Sequence, residues 1–347
     1  MTRSPTIMFP IAVEPEAIRE HGTDRDFATH LSIAETLLQH GILAFEGDGG
    51  EELMAATRKL DPSLAELWDK LIKGLNNINR IDRSVVPSTV TSLIDELGEE
   101  GIARHDALVL LASEDSARRH GVTYQNPFRQ FGATDLAVPG AVKLCPVATS
   151  AASLKSFEPE TPREVVANSI LKPLSQRSGT TTLFDPYLFF DVLRERKPSH
   201  RDHVEWLAKV LTSALPPGAL LRLVGNVPDP PPRELALEKN VIMQLIESAI
   251  RKAANSRRDM LNVQVTLYQG TAEGVRAHNR YLDFDCGFTF EVTADFARLG
   301  SAVNPGPDAL TFHRLDDAQA ARARQIVSNY VDYEYKNALV QWEFSLP

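Results

Sequence analysis

The chain has 347 residues, of which 43% are hydrophobic and 24% charged, with a formal net charge of −9. That length points to one large domain or two medium ones, with ample apolar material for a core. The composition excludes a membrane-spanning helix, because no run of about 18 apolar residues occurs, and a uniformly basic nucleic-acid binder, because backbone binding rests on Lys and Arg.

Two cysteines, Cys145 and Cys286, lie far apart and match no metal spacing. The opening segment MTRSPTIMFPIAVEPEAIREHG has no apolar core ahead of a small-residue cleavage site. A reduced, cytoplasmic protein is the expectation.

Along the first 160 residues helices mix with short strands. Phe27 to Gln39 is expected as a helix, Ile42 to Phe45 as a strand, and Glu51 to Leu75 as a helix with apolar residues three and four apart. Ala107 to Leu111 predicts a buried strand, with a polar helix from Glu114 to His120 capped by Ser113. Val142 to Val147 is another strand candidate. Gly47-Asp48-Gly49-Gly50 lacks the Lys-Ser/Thr pair of a phosphate loop and reads as a turn. The Ser, Ala, Pro and Glu of Thr149 to Pro162 mark the expected boundary.

Beyond it the pattern is regular. Thr181 to Phe190 reads as an aromatic-rich strand, in which Asp185-Pro186 either forms a turn or aims Asp185 into a cleft. A helix over Arg201 to Ser213 is stopped by Pro216-Pro217-Gly218, and Leu220 to Val224 is a strand ending in Gly225-Asn226. Pro228 to Pro232 reads as a linker before a helix from Arg233 to Asn255, and Leu261 to Leu267 is again a strand. His200, His203 and Trp206, at a helix start, read as surface groups rather than ligands. Arg251, Lys252, Arg257 and Arg258 suit a helix C-terminus, or a nucleic-acid backbone if a phosphate site lies beside them. The aromatic rings of Tyr330, Tyr333, Tyr335, Trp342 and Phe344 are expected on a terminal helix packed over the core, with a partner-docking surface as the alternative. Strand, helix, strand, helix, strand at these lengths predicts an α/β domain over residues 161–347, its mostly parallel sheet flanked by helices, after a mixed α+β domain over residues 1–160.

One constellation bears chemistry. His278, Arg280 and Asp285 read H-x-R-x4-D, and Gly300-Ser301-Ala302-Val303-Asn304 reads G-S-x-x-N. An imidazole can attack phosphorus, a guanidinium can neutralise phosphate oxygens, a carboxylate can orient the imidazole, and hydroxyl and amide groups add hydrogen bonds. On a strand His278 and Arg280, two apart, point to one face. Asp285 closes the other end, Cys286-Gly287 turns the chain, and Phe288 to Val292 returns as a hairpin partner.

These residues resemble the signature of the phospholipase D superfamily, H-x-K-x4-D followed by G-S-x-x-N. The resemblance, over residues 180–310, implies His278 as the nucleophile of a phosphohistidine mechanism, with Arg280 and Asp285 in the Lys and Asp positions. Ser301 and Asn304 fall on the phosphate side, and no metal or other cofactor is implied. Three departures accompany it. Arg280 exchanges a compact ammonium for a flat fork, and fourteen residues separate Asp285 from Gly300, more than the family carries. A single H-x-R element is present, which His313-Arg314 does not repeat, so a dimer would have to supply the second His. The Arg form is also similar to the phospholipase D-like domain at the C-terminus of MIT-domain proteins, through Asp285-Cys286-Gly287 and the segment Leu183 to Leu188. Members of that branch look better suited to binding than to hydrolysis.

Two functions follow as expectations. One is a metal-independent phosphodiesterase or nuclease that acts as a dimer on nucleic acid, since no basic amphipathic stretch suits a membrane. The other is a catalytically silent phospholipase D-like module that recognises phosphate, nucleic acid or a protein within a larger assembly, such as a bacterial antiviral defence or membrane-remodelling complex.

Overall fold

The computed structural model describes residues 9–13, 15–19, 22–45, 49–82, 109–111, 135–137, 154–193, 202–226, 239–254, 260–268, 280–294, 296–303, 308–331 and 338–346. The chain divides into two compact units, Met1–Ala152 and Ser153–Pro347.

The first unit runs β1 (Phe9–Val13), α1 (Pro15–Arg19), α2 (Phe27–His40), β2 (Gly41–Ala44), α3 (Gly49–Thr57), α4 (Pro62–Asn77), β3 (Ile81–Asp82), β4 (Val109–Leu111) and β5 (Asp135–Ala137). Its strands lie in the order β3-β2-β1-β4-β5, each parallel to its neighbour. A mixed α+β arrangement was expected; the sheet is instead parallel. The reason is that β1, β2 and β3 are separated by helices, and a helical crossover returns the chain in the same direction. The single helix expected over residues 51–75 is two helices, because Asp61-Pro62 interrupts it and Pro62 opens α4. Leu64, Trp68, Leu71 and Leu75, three and four apart on α4, pack with Ile33, Leu37 and Leu43. Trp68 donates its indole N–H to His30 Nδ1 at 2.9 Å, which satisfies the indole and one imidazole nitrogen inside this core. The helix expected at Glu114 to His120 and the strand expected at Val142 to Val147 lie outside the described residues.

The second unit begins with β6 (Leu154–Phe157), inside the stretch expected to be a loose boundary. It continues with α5 (Arg163–Val166), a π-helical segment (Ala167–Leu171), α6 (Lys172–Ser175), β7 (Thr180–Phe184), α7 (Phe190–Leu193), α8 (Asp202–Ala214), β8 (Leu220–Asn226), α9 (Lys239–Ala253) and β9 (Leu261–Tyr268). There follow β10 (Tyr281–Phe284), β11 (Phe288–Val292), a 3-10 helix (Phe296–Gly300), β12 (Leu310–Arg314), α10 (Asp317–Val331) and β13 (Ala338–Leu346). The sheet order is β13-β9-β8-β7-β10-β11-β12-β6.

The expectation of a mostly parallel sheet is corrected here. Only β7, β8 and β9 pair in parallel; β10, β11, β12, β6 and β13 join antiparallel. Helices α8 and α9 make the two crossovers that parallel pairing needs. The tight turn at Asp285-Cys286-Gly287, with Gly287 at φ 91°, then reverses the chain and commits β11 to antiparallel pairing with β10. The closing aromatics are not on one helix either: Tyr330 is on α10, while Trp342 and Phe344 lie on β13.

Register assigns the faces, since residues directly opposite share one. One face carries the row Trp342, Val265, Leu223, Leu183, Leu282 and Phe290, and α9 lies over this side with Arg251 5.0 Å from the Phe344 ring. The other face carries Phe184, Val224, Tyr268 and Tyr281, covered by Ala323, Val327 and Tyr330 of α10. On that second face a polar row crosses six strands: Glu343, Gln264, Arg222, Thr182, Asp283 and Thr289. Arg324 of α10 donates to Asp283 at 3.0 and 3.2 Å and to Thr289 at 3.0 Å, fastening the helix to one end of this row.

Candidate functional site at the strand ends

Ligands of open α/β sheets bind beyond the carboxyl ends of parallel strands. Here Asp185 follows the last residue of β7, Asn226 ends β8 and Tyr268 ends β9. Strand β10 runs antiparallel to β7 with Tyr281 opposite Phe184, so Arg280, which precedes it, arrives beside Asp185.

The two charges form an ion pair, Arg280 Nε lying 3.5 Å from Asp185 Oδ1, with side-chain exposures of 8% and 1%. Asp185 is held from three sides. Its Oδ1 accepts the Tyr187 N–H at 2.8 Å, closing a turn over Pro186, and its Oδ2 accepts the Phe296 N–H at 3.1 Å. The Arg280 guanidinium also lies 5.4 Å from the centre of the Tyr187 ring. Burial pushes the Asp185 carboxyl above the usual carboxylate range; the Tyr187 N–H, Arg280, the Phe296 N–H and His203 pull the other way. Tyr268 and Tyr330 wall this end of the sheet, their ring centres 4.2 Å apart, and burial raises the Tyr268 phenol.

His203, expected at the surface, is buried, with Nε2 2.9 Å from the Leu188 carbonyl oxygen. A Cβ on Gly300 would come 3.3 Å from that of His203, so the 3-10 helix ends close against the start of α8. The signal was present in the sequence: Leu207, Val210 and Leu211 put His203 on the apolar side of α8. Tyr187 is marked in the sequence only as part of the Leu183 to Leu188 segment, and the Phe296 amide carries no comparable signal. The Phe296 contribution is a backbone group that any residue but proline supplies.

Within the H-x-R-x4-D pattern, Arg280 and Asp285 do not converge. Arg280 and Asp285 flank β10 at opposite ends, about 16 Å apart at the usual rise of a strand. Asp285 sits exposed at the hairpin turn, its N–H on the Thr180 carbonyl at 3.1 Å. Its carboxyl is raised by desolvation and by Asp283, against the N–H groups of Thr180 and Gly179 and the Ser178 hydroxyl. Ser301 is exposed in the bend after the 3-10 helix, where its N–H reaches the Arg298 carbonyl at 3.4 Å. His313 is on β12, two strands from Tyr281 and exposed. His278 and Asn304 lie outside the described residues. What the fold brings together is Arg280 with Asp185, with His203 behind them.

Comparison adds no kin. No protein-family model, no curated protein and no solved structure matches the chain.

The remaining candidates are accounted for more simply. Arg251 donates to Glu247 at 2.7 Å and to the Ser345 carbonyl at 3.0 Å, and Lys252 to Glu205 at 3.0 and 3.1 Å; Arg257 and Arg258 lie outside the described residues. Among the described residues no group of three His, Cys, Asp or Glu is placed to hold a metal ion. No helix among them is long and apolar enough to cross a membrane.

The first unit has the strand order of a doubly wound nucleotide-binding sheet, with its switch point between β1 and β4. Yet Glu14-Pro15-Glu16 follows β1, two carboxylates where a dinucleotide fingerprint places glycines to approach a pyrophosphate. An open cleft of about 830 Å³ lies between α3 and α4, with Phe45 and Met54 in its wall and Glu51, Arg58 and Lys73 around it. Its charges are of both signs and Lys73 is engaged by Asp69 at 2.7 Å, so they define no single ligand.

Proposed function

We propose that the Ser153–Pro347 unit is a catalytically silent phospholipase D-like recognition module that works by binding a protein partner within a larger assembly. One observation carries this reading: Arg280, the cation a phosphoryl group would need, is buried in an ion pair with Asp185 and covered by Tyr187. The charge of a guanidinium so placed is already balanced by Asp185, so a phosphate would bring an uncompensated anion to a buried site, and an uncompensated buried charge costs about 3–5 kcal/mol. Asp285, the carboxylate of the pattern, lies at the opposite end of β10 from Arg280, and Asp185, which does lie beside Arg280, is already held by the Tyr187 and Phe296 N–H groups. The net charge of −9 favours a protein over a nucleic-acid partner.

The test is hydrolysis in EDTA of bis-p-nitrophenyl phosphate and of labelled single- and double-stranded DNA and RNA, comparing the natural chain with His278→Ala. The expected result is no turnover by either folded protein. Turnover by the natural chain that disappears in His278→Ala overturns the reading and restores the phosphohistidine enzyme.

A further inference from the structure

The two edges of the second unit's sheet are unlike. At one end β6 is four residues long, a short edge of the kind that discourages pairing. At the other end β13 is nine residues long, Ala-Leu-Val-Gln-Trp-Glu-Phe-Ser-Leu, with Glu343 as its one charge. Among the described residues no strand pairs with its outer side.

A further observation falls on this same strand: the polar row of the sheet runs outward to β13 and stops there. Arg222 Nε donates to Gln264 Oε1 at 2.5 Å, and Gln264 Nε2 donates to Glu343 Oε1 at 2.5 Å. The chain of donors thus ends on an edge carboxylate.

We propose that β13 pairs antiparallel with β13 of a second copy of this chain, about a twofold axis at Trp342. Antiparallel pairing of identical strands sets one residue opposite its own copy, and the sequence discriminates among the choices. An axis at Glu343 puts two carboxylates face to face, which is unfavourable. An axis at Gln341 sets Glu343 against the apolar Leu339. An axis at Trp342 sets Val340 against Phe344 and Gln341 against Glu343, twice by symmetry. In that register the Gln341 amide of one copy is the next donor to the Glu343 carboxylate of the other. The row then continues as Arg222, Gln264, Glu343 and the second copy's Gln341, without a break across the interface. The inference rests on β13 alone and is independent of whether the strand-end site binds or hydrolyses.

Sedimentation equilibrium of the full chain at about 50 µM tests it, with circular dichroism to verify that each variant is folded. The natural chain is expected to be a dimer. Gln341→Glu places like charges opposite at both symmetric pairs and should raise the dimer dissociation constant roughly tenfold. The swapped variant Gln341→Glu/Glu343→Gln restores complementarity and should recover the dimer; rescue by the swap identifies the register. A monomeric natural chain overturns the proposal, as does a dimer that Gln341→Glu leaves unchanged or that the swap fails to rescue.

Discussion

Removing the guanidinium of Arg280 leaves Asp185 with a carboxyl that water scarcely reaches and two backbone donors that fix its position. Arg280→Met should therefore destabilise the unit by about 3–5 kcal/mol in urea unfolding, and adding Asp185→Asn should recover part of that loss, because the second change removes the stranded charge. The pH dependence has a definite sign. Burial raises the Asp185 carboxyl above its ordinary value of 3.8, so the folded state holds that proton more tightly than the unfolded one. Its contribution is fully present below the ordinary value and is lost as the pH rises through the raised one. The stability of the natural chain relative to Asp185→Asn should fall over that interval, as measured by urea midpoints at stepped pH. Asp185-Pro186 was legible in the sequence as a turn, and Arg280 as a cation with a purpose. Their pairing was not, because the H-x-R-x4-D spacing directs attention along one strand to Asp285. The true partner lies across the sheet, on the turn that ends β7.

Elements whose pattern is local are legible in the sequence, and those set by distant packing are not. The hairpin of β10 and β11 follows from Cys286-Gly287 between two alternating segments, and α4 and α8 follow from their apolar spacing. Strand β13 reads as part of a helix when its aromatics are counted together with Tyr330, Tyr333 and Tyr335. Taken alone, Val340, Trp342, Phe344 and Leu346 alternate with the period of a strand. Close packing between elements supplies a test at this scale. A Cβ on Gly225, in β8, would come 2.6 Å from Cδ2 of Phe189, a fully buried ring ahead of α7. Gly225→Ala should cost about 1–3 kcal/mol through that overlap, measured by thermal or urea unfolding.

At the scale of the whole molecule, the sequence indicates two units but not which strands belong to which sheet. Strand β6 is the clearest case. Its residues lie before the expected boundary at 160, yet it closes the far edge of the second sheet, with Phe157 meeting Phe312 edge to face at 5.8 Å. A fragment beginning at Ser153 should fold with a sharp unfolding transition. One beginning at Thr161 lacks β6 and uncovers Phe312, and its transition should come at lower urea, the loss being about 2 kcal/mol or more for a buried aromatic contact. Equal midpoints for the two fragments would count against the assignment of β6. Sheet topology is hidden in the sequence for the same reason: a strand's apolar pattern says that it is buried, not which neighbour buries it.

The hydrogen bond from the Phe296 amide to Asp185 joins groups 111 residues apart in the chain. Closing so long a loop is entropically uphill until the strands between have paired, so this contact belongs to the last stage of folding. Substitutions around Asp185 should then accelerate unfolding and leave the folding rate almost unchanged. The strand ends would be the region that opens first when the native state relaxes, and a partner that closes over them would slow the molecule's unfolding without altering how it folds.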